Sequence, residues 1–154
     1  MPIRVIETHI AASPERCWEL SLSIDAHTGS MRHSRERAIA GVTSGQIGMG
    51  ESVTWEARHF GLRFRMTSKI TEFEYPTRFV DEQTAGPFAH WRHEHSFAPV
   101  GAGTLMTDRL SFRAPFGVLG RLAEVAVLSR YMERLIRKRN LWLQHELERQ
   151  PEKE

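Results

Sequence analysis

Hydrophobic and polar residues alternate from the start of the chain. Over residues 3–12, Ile3, Val5 and Glu7 share one side of an extended segment, and Arg4, Ile6 and Thr8 share the other. Ser13-Pro14-Glu15 then signals a helix start. A serine hydroxyl can accept a bond from an orphan helix amide, and proline suits the first helical position because its missing N–H would be unpaired there. The spacing predicts a short helix over 14–22 with Cys17, Trp18 and Leu22 on its apolar side. Residues 23–30 are polar and turn-rich, and fit either a second helical turn or an opening loop.

From 31 to 113 the chain reads as six consecutive strands, over 31–41, 50–59, 62–73, 77–84, 88–98 and 104–113. Glycines over 41–50, Phe60-Gly61, Tyr75-Pro76, Gly86-Pro87 and the run from Pro99 to Gly103 separate them. Connections this short leave no room for crossover helices, so neighbouring strands are antiparallel. Leu62, Phe64, Met66, Ser68 and Ile70 point one way, as do Val53, Trp55 and Ala57. Phe79, Trp91, Phe97, Met106, Leu110 and Phe112 mark the covered side of the later strands.

After Arg113 the period lengthens to about 3.6 residues. Leu122, Val125, Leu128 or Ser129, Met132, Leu135 or Ile136, Arg139, Leu143 and Leu147 trace a stripe along a helix over 118–148. Such a helix is about 45 Å long. The expected fold is therefore α+β: a seven-stranded curved antiparallel sheet wrapped around a long C-terminal helix, with one or two short helices after the first strand. One domain spans 1–149, and 150–154 form a disordered tail. Sheet and helix must cover each other's apolar faces, and a strongly bent sheet cannot touch a straight helix along its whole length. A cavity is expected between them.

This order resembles the helix-grip fold of the START-related, birch-pollen-allergen-like superfamily, which includes polyketide cyclases and lipid carriers. The stretches that carry the likeness are Ile10-Ala-Ala-Ser-Pro-Glu-Arg-Cys-Trp18, Ile70-Thr-Glu-Phe-Glu-Tyr-Pro-Thr-Arg-Phe79 and the closing helix from Leu119 to Leu147. The segments Gly86–Phe97 and Gly103–Arg109 are similar to a bacterial subgroup described as ligand-binding or cyclase-like. The resemblance spans nearly the whole chain, and it implies a fold more sharply than a chemistry.

Composition narrows the classes. The 154 residues suffice for one domain, and 40% hydrophobic with 26% charged residues is a globular balance. The formal charge is only +2, with no smooth basic footprint for nucleic acid, though eight histidines make acidic-pH behaviour strong. A single cysteine, Cys17, rules out an intrachain disulfide and a cysteine-built zinc site; it reads as a buried structural thiol. No apolar run reaches the roughly 18 residues that span a bilayer. A cytoplasmic protein without stable membrane insertion, monomeric or homodimeric, is the economical expectation.

The chemistry concentrates in Trp91-Arg-His-Glu-His-Ser-Phe97. Period two puts His93 and His95 on the face of Trp91 and Phe97, Asp81 with Phe79, and Asp108 with Met106 and Leu110. Two imidazoles and two carboxylates in an apolar chamber need partners. Three readings stay open: a self-satisfied network, recognition of a hydroxyl or carbonyl on a mostly apolar ligand, or general acid–base catalysis by a His–Asp pair. His93 and His95 could also converge on an ion, but no HExxH helix or EF-hand loop supports a metal, and no cofactor is expected. Trp55, Phe64, Met66, Leu110, Phe112 and Met132 supply the apolar lining.

Other residues carry weaker signals. Gly45-Gln-Ile-Gly48-Met-Gly50 joins two strands without a following helix, so it is a hairpin rather than a phosphate loop. Arg134, Arg137, Lys138 and Arg139 form one basic run, read as a solvated face with weak peripheral contact to anionic lipid, or attraction to an acidic partner, as the alternative. His27 and His33 fit a cavity mouth, His59 a rim, and Trp142 a sheet edge or the first helix. The leading expectation is a carrier or sensor of a small lipophilic or aromatic molecule. The alternatives are a cyclase, dehydratase or hydrolase using the same cavity, and a non-catalytic interaction scaffold.

Overall fold

The computed structural model describes residues 3–123 and 127–150. The first strand, β1, runs Ile3–Ile10, followed by α1 (Pro14–Ser21) and α2 (Ile24–Ser30). Six strands come next: β2 (Arg37–Gly41), β3 (Ser52–His59), β4 (Leu62–Glu74), β5 (Arg78–Ala85), β6 (His90–Val100) and β7 (Gly103–Arg113). Among the described residues, α3 (Gly117–Ala123) and α4 (Ser129–Arg149) follow. The seven strands form one sheet in the order β1-β7-β6-β5-β4-β3-β2, every pairing antiparallel. Register shifts in β4, between Thr67 and Ser68 and between Ile70 and Glu72, bend it.

The predicted helix start is present. Ser13 Oγ accepts from Arg16 N at 3.3 Å and Pro14 opens α1, which buries Cys17 and Trp18. Trp18 makes edge contacts with Phe73, Tyr75, Phe79 and Phe97, their ring centroids 4.8 to 6.1 Å away. This aromatic knot fastens α1 to the sheet. The segment 23–30 is a second helix, capped by Ser23 Oγ on Ala26 N at 3.1 Å. On the convex face, Glu72, Arg78, Arg92 and Glu94 form a cross-strand ladder.

Three expectations change. The strand predicted over 31–41 is extended only over Arg37–Gly41. Met31 is buried and the residues after it turn tightly, because Ser34 bonds back to Met31 O at 3.0 Å and Arg35 adopts a left-handed backbone. The C-terminal helix is present as α3 and, helical again from Val127, as α4, with 124–126 outside the described residues; Leu122 of the predicted stripe is 65% exposed instead of packed. The stripe holds from Met132 onward through Leu135, Ile136, Arg139, Leu143 and Leu147, all buried. Trp142 packs against Gly29 of α2, where an added Cβ would meet its ring at 3.0 Å. Val125 of the stripe and residues 151–154 of the expected tail lie outside the described residues.

Trp18→Ala removes the aromatic knot and should cost about 3–5 kcal/mol of stability, read from urea unfolding midpoints.

Candidate functional site

Three neighbouring strands position the polar cluster. The register sets Asp81 opposite His93, and His95 opposite both Phe79 and Asp108, while the two-residue repeat turns all four polar side chains to the helix side. Asp108 is fully buried. Its Oδ1 accepts from His93 Nε2 at 2.7 Å and from Arg139 Nη2 at 2.5 Å, and its Oδ2 accepts from Asn140 Nδ2 at 2.7 Å. Asn140 in turn accepts from Arg139 Nε and donates to Thr8 Oγ1 of β1, both at 3.1 Å.

Asp81 anchors the other half. Its Oδ2 accepts from His95 Nε2 at 2.7 Å, and its Oδ1 from Trp91 Nε1 at 3.3 Å. The two imidazoles stack with centroids 3.8 Å apart, and Phe79 covers the other face of His95 at 4.2 Å. His95 Nδ1 is buried 3.4 Å from Asp108 Oδ1 and forms no hydrogen bond there.

Charge follows from these contacts. Burial opposes ionisation of Asp108, but the Arg139 guanidinium and the bond from His93 hold its carboxyl far below the usual range. Burial also works against Asp81, yet the His95 bond and the charges of both imidazoles bring it down to about 2. Burial and the charge of His93 push His95 down to about 4, against the pull of Asp81.

The cluster forms part of the wall of a cavity of about 370 Å³ between sheet, α2 and α4. Asp81, His93, His95 and Arg139 reach its surface. So do the predicted apolar residues Trp55, Phe64, Met66, Phe79, Trp91 and Met132. Three predicted site residues do not. Asp108, Leu110 and Phe112 have no exposed surface and lie behind the lining: His93 and Arg139 cover Asp108, while Leu110 and Phe112 pack with Ile6, Leu135 and Ile136.

Two features of the site go beyond what the sequence pattern predicts. Arg139 is not part of a solvated basic face: it is buried and serves as the counter-charge of Asp108. Its place in the apolar stripe of α4 is the available signal, since a cation there requires a buried partner. The second is a separate polar group on the same cavity, in which His27 and His59, expected at its mouth and rim, meet Glu36 and Tyr131, which the pattern does not mark. His27 Nε2 and Glu36 Oε1 are 2.6 Å apart, with His27 against Trp55, and His59 Nδ1 and Tyr131 Oη are 2.5 Å apart. Glu36 lies in the part of 31–41 that turns instead of extending, and nothing in its spacing marks it. His33 is exposed and off the cavity.

Asp81, His93 and His95 also bring donor atoms within 4.8 Å of one another. The arrangement is a poor fit for a metal. The rings are only 22° from parallel, so their in-plane lone pairs run side by side instead of converging. Both Nε2 atoms are engaged by carboxylates, and Arg139 adds a cation beside them.

Comparison with known proteins agrees with this architecture. The chain belongs to the family described as polyketide cyclase/dehydrase and lipid transport, which it matches over residues 3–148. A search of curated proteins found no match. Among solved structures, a protein from Thermus thermophilus is 20% identical with a TM-score of 0.73, covering 92% of this chain and 97% of that one. A START superfamily protein from Mycobacterium smegmatis is 15% identical with a TM-score of 0.72, covering 96% and 97%. The major latex-like protein 151 of Panax ginseng is 12% identical with a TM-score of 0.70, covering 95% and 97%. Such likenesses define the fold as helix-grip. Among the described residues no helix is long and apolar enough to cross a membrane.

The charges set a pH dependence. An imidazole held near 4 in the fold and near 6.5 when unfolded binds its proton preferentially in the unfolded chain. Stability should therefore fall as pH drops from about 6.5 to about 4, by up to about 3 kcal/mol for this group, and loss of the Asp81 contribution adds below about 3.8. In His95→Gln the upper part of that slope should flatten in urea titrations across pH. Arg139→Leu leaves Asp108 buried without its cation and should cost about 3–5 kcal/mol by the same assay.

Proposed function

We propose that the protein binds one small, mostly apolar molecule between the concave sheet and α4, as a cytoplasmic carrier or sensor acting as monomer or homodimer. The observation that carries this reading is the cavity itself. Its volume of about 370 Å³ lies in the range of small-molecule sites, and aromatic and aliphatic side chains dominate its wall. Affinity would come from apolar burial, at about 25 cal/mol per Å². Orientation would come from the polar edges, with Asp81 and Arg139 at one group and Glu36 and Tyr131 at the other. A hydroxyl or carbonyl on an otherwise apolar skeleton fits this distribution. Membership of the polyketide cyclase/dehydrase and lipid transport family supports a lipophilic occupant.

A second reading has a specific observation behind it. Each of the two cavity imidazoles lies 2.7 Å from a carboxylate, the arrangement a general base needs. A cyclase, dehydratase or hydrolase would use that pair on an enolisable substrate.

Native mass spectrometry of protein purified from its own host distinguishes these readings. A carrier should show a stoichiometric mass excess lost on denaturation, and Phe64→Ala should weaken rebinding of the released compound about tenfold. His95→Gln should then leave the occupant chemically unchanged. An enzyme would instead convert the bound compound on incubation, and His95→Gln would stop the conversion. Empty protein from the host would defeat the tight-carrier reading.

A further inference from the structure

The segment between β7 and α4 is built in the opposite sense to the rest of the surface. Phe116, Val118, Leu119 and Leu122 are 85%, 74%, 75% and 65% exposed, and Val127 is 52% exposed. The orientation is fixed by close packing on the other side of α3. An added Cβ on Gly120 would lie 1.9 Å from the Pro115 carbonyl oxygen, so only glycine allows the helix to sit against that backbone. With Gly120 turned inward, Leu119 and Leu122 face solvent.

This apolar segment borders the entrance to the cavity. Pro115 and Leu128, on either side of α3 in the chain, both line the cavity, as does Tyr131 one turn further on. Phe60, at the β3–β4 turn, packs on Tyr131 at 4.5 Å; it is 60% exposed yet lines the cavity, which marks an opening there. Leu62 beside it is 62% exposed.

Charge identifies what covers this face. Between residues 109 and 132 the sequence holds Arg109, Arg113, Arg121 and Arg130 against a single acidic residue, Glu124. Arg113, Arg121 and Arg130 are exposed, and among the described residues none has a carboxylate partner. Arg137, in the basic run of α4, is by contrast already paired with Glu133 at 2.9 Å. A second copy of the chain would set arginines against arginines across a symmetric contact. An anionic lipid surface would neutralise them while accepting the apolar side chains between them.

We propose that α3 and its flanks, with Phe60 and Leu62, form a docking face for an anionic lipid bilayer, placing the cavity entrance at the membrane surface. Phe116, Leu119 and Leu122 enter the headgroup boundary, and Arg113, Arg121 and Arg130 engage the lipid phosphates. This face is independent of the occupant of the cavity, so its test needs no ligand.

The test is co-sedimentation with vesicles of phosphatidylcholine alone and of phosphatidylcholine mixed with phosphatidylglycerol, at low salt. The wild-type protein should partition at least about tenfold better onto the anionic vesicles, and added salt should weaken it. Leu119→Asp should lose about tenfold and Arg121→Glu about fivefold, with circular dichroism unchanged because both sites are exposed. Leu141→Asp, at a residue 59% exposed on α4, serves as the control and should bind as wild type. Equal partitioning onto both vesicles, or wild-type binding by Leu119→Asp, would overturn the proposal. So would a dimer in sedimentation velocity that Leu119→Asp dissociates without any vesicle binding, because a second copy would then own the face.

Discussion

An ionised carboxylate withdrawn wholly from water has to be answered from every side, and Asp108 is answered from two directions at once. His93 reaches it from the neighbouring strand, and Arg139 and Asn140 reach it from α4. Asn140 continues to Thr8 on β1, which ties a third element to the same point. Apolar packing alone would let a helix slide or rotate on a sheet at modest cost, because it is non-directional. A buried ion pair has a single good geometry, and breaking one partner leaves an uncompensated charge worth several kcal/mol. The depth and rotation of α4 are set at this point. Arg16 adds a second tie near the far end of α4, donating to Leu147 O at 2.9 Å.

The cavity is the remainder of that arrangement. The sheet bends away from a helix whose position is fixed near β1 and β7, and the widening space is left over β3 to β5. The strands there supply Trp55, Phe64 and Met66, whose bulk lines the space without filling it. Filling it completely would require side chains of α4 to reach a receding surface. The polar groups stand in two places: Asp81 and His95 on the sheet wall, Glu36 and Tyr131 near the opening that Phe60 marks.

Much of this is legible in the chain. Two-residue alternation places Asp81, His93 and His95 on the cavity face of their strands, because a half-buried sheet tolerates only one register. The Ser13-Pro14 start and the buried Cys17 and Trp18 are equally plain. What the pattern does not carry has a common cause, which is dependence on distant packing. Leu122 continues the 3.6 period of α4 but faces solvent, because the Gly120 approach to Pro115 fixes how α3 is turned, and periodicity holds no information about that contact. Leu110 and Phe112 share the inward face of β7, yet period two cannot tell core from cavity lining; that depends on how far the helix stands off. Arg139 is visible as a charge in an apolar stripe, but its partner is 31 residues away. Glu36 pairs with His27 across a turn whose local propensity reads as strand.

The stacking of the two imidazoles bears on which chemistry the wall can perform. His95 is held between Phe79 and His93, with Nε2 committed to Asp81 and Nδ1 turned toward Asp108. The ring cannot rotate to offer Nδ1 to the cavity without leaving both stacking partners and its carboxylate. His93 likewise gives Nε2 to Asp108. A carboxylate-held general base needs its second nitrogen facing the substrate, and the buried Nδ1 of His95 does not face the cavity. The depressed basicity of His95 acts in the same direction, since an imidazole that protonates only near 4 is a weak base at neutral pH. Asp81 retains a partly accessible carboxylate edge, 19% exposed, and both it and Arg139 reach the cavity wall. Under the proposed binding role, these two groups would hold a polar substituent in place within an otherwise apolar chamber.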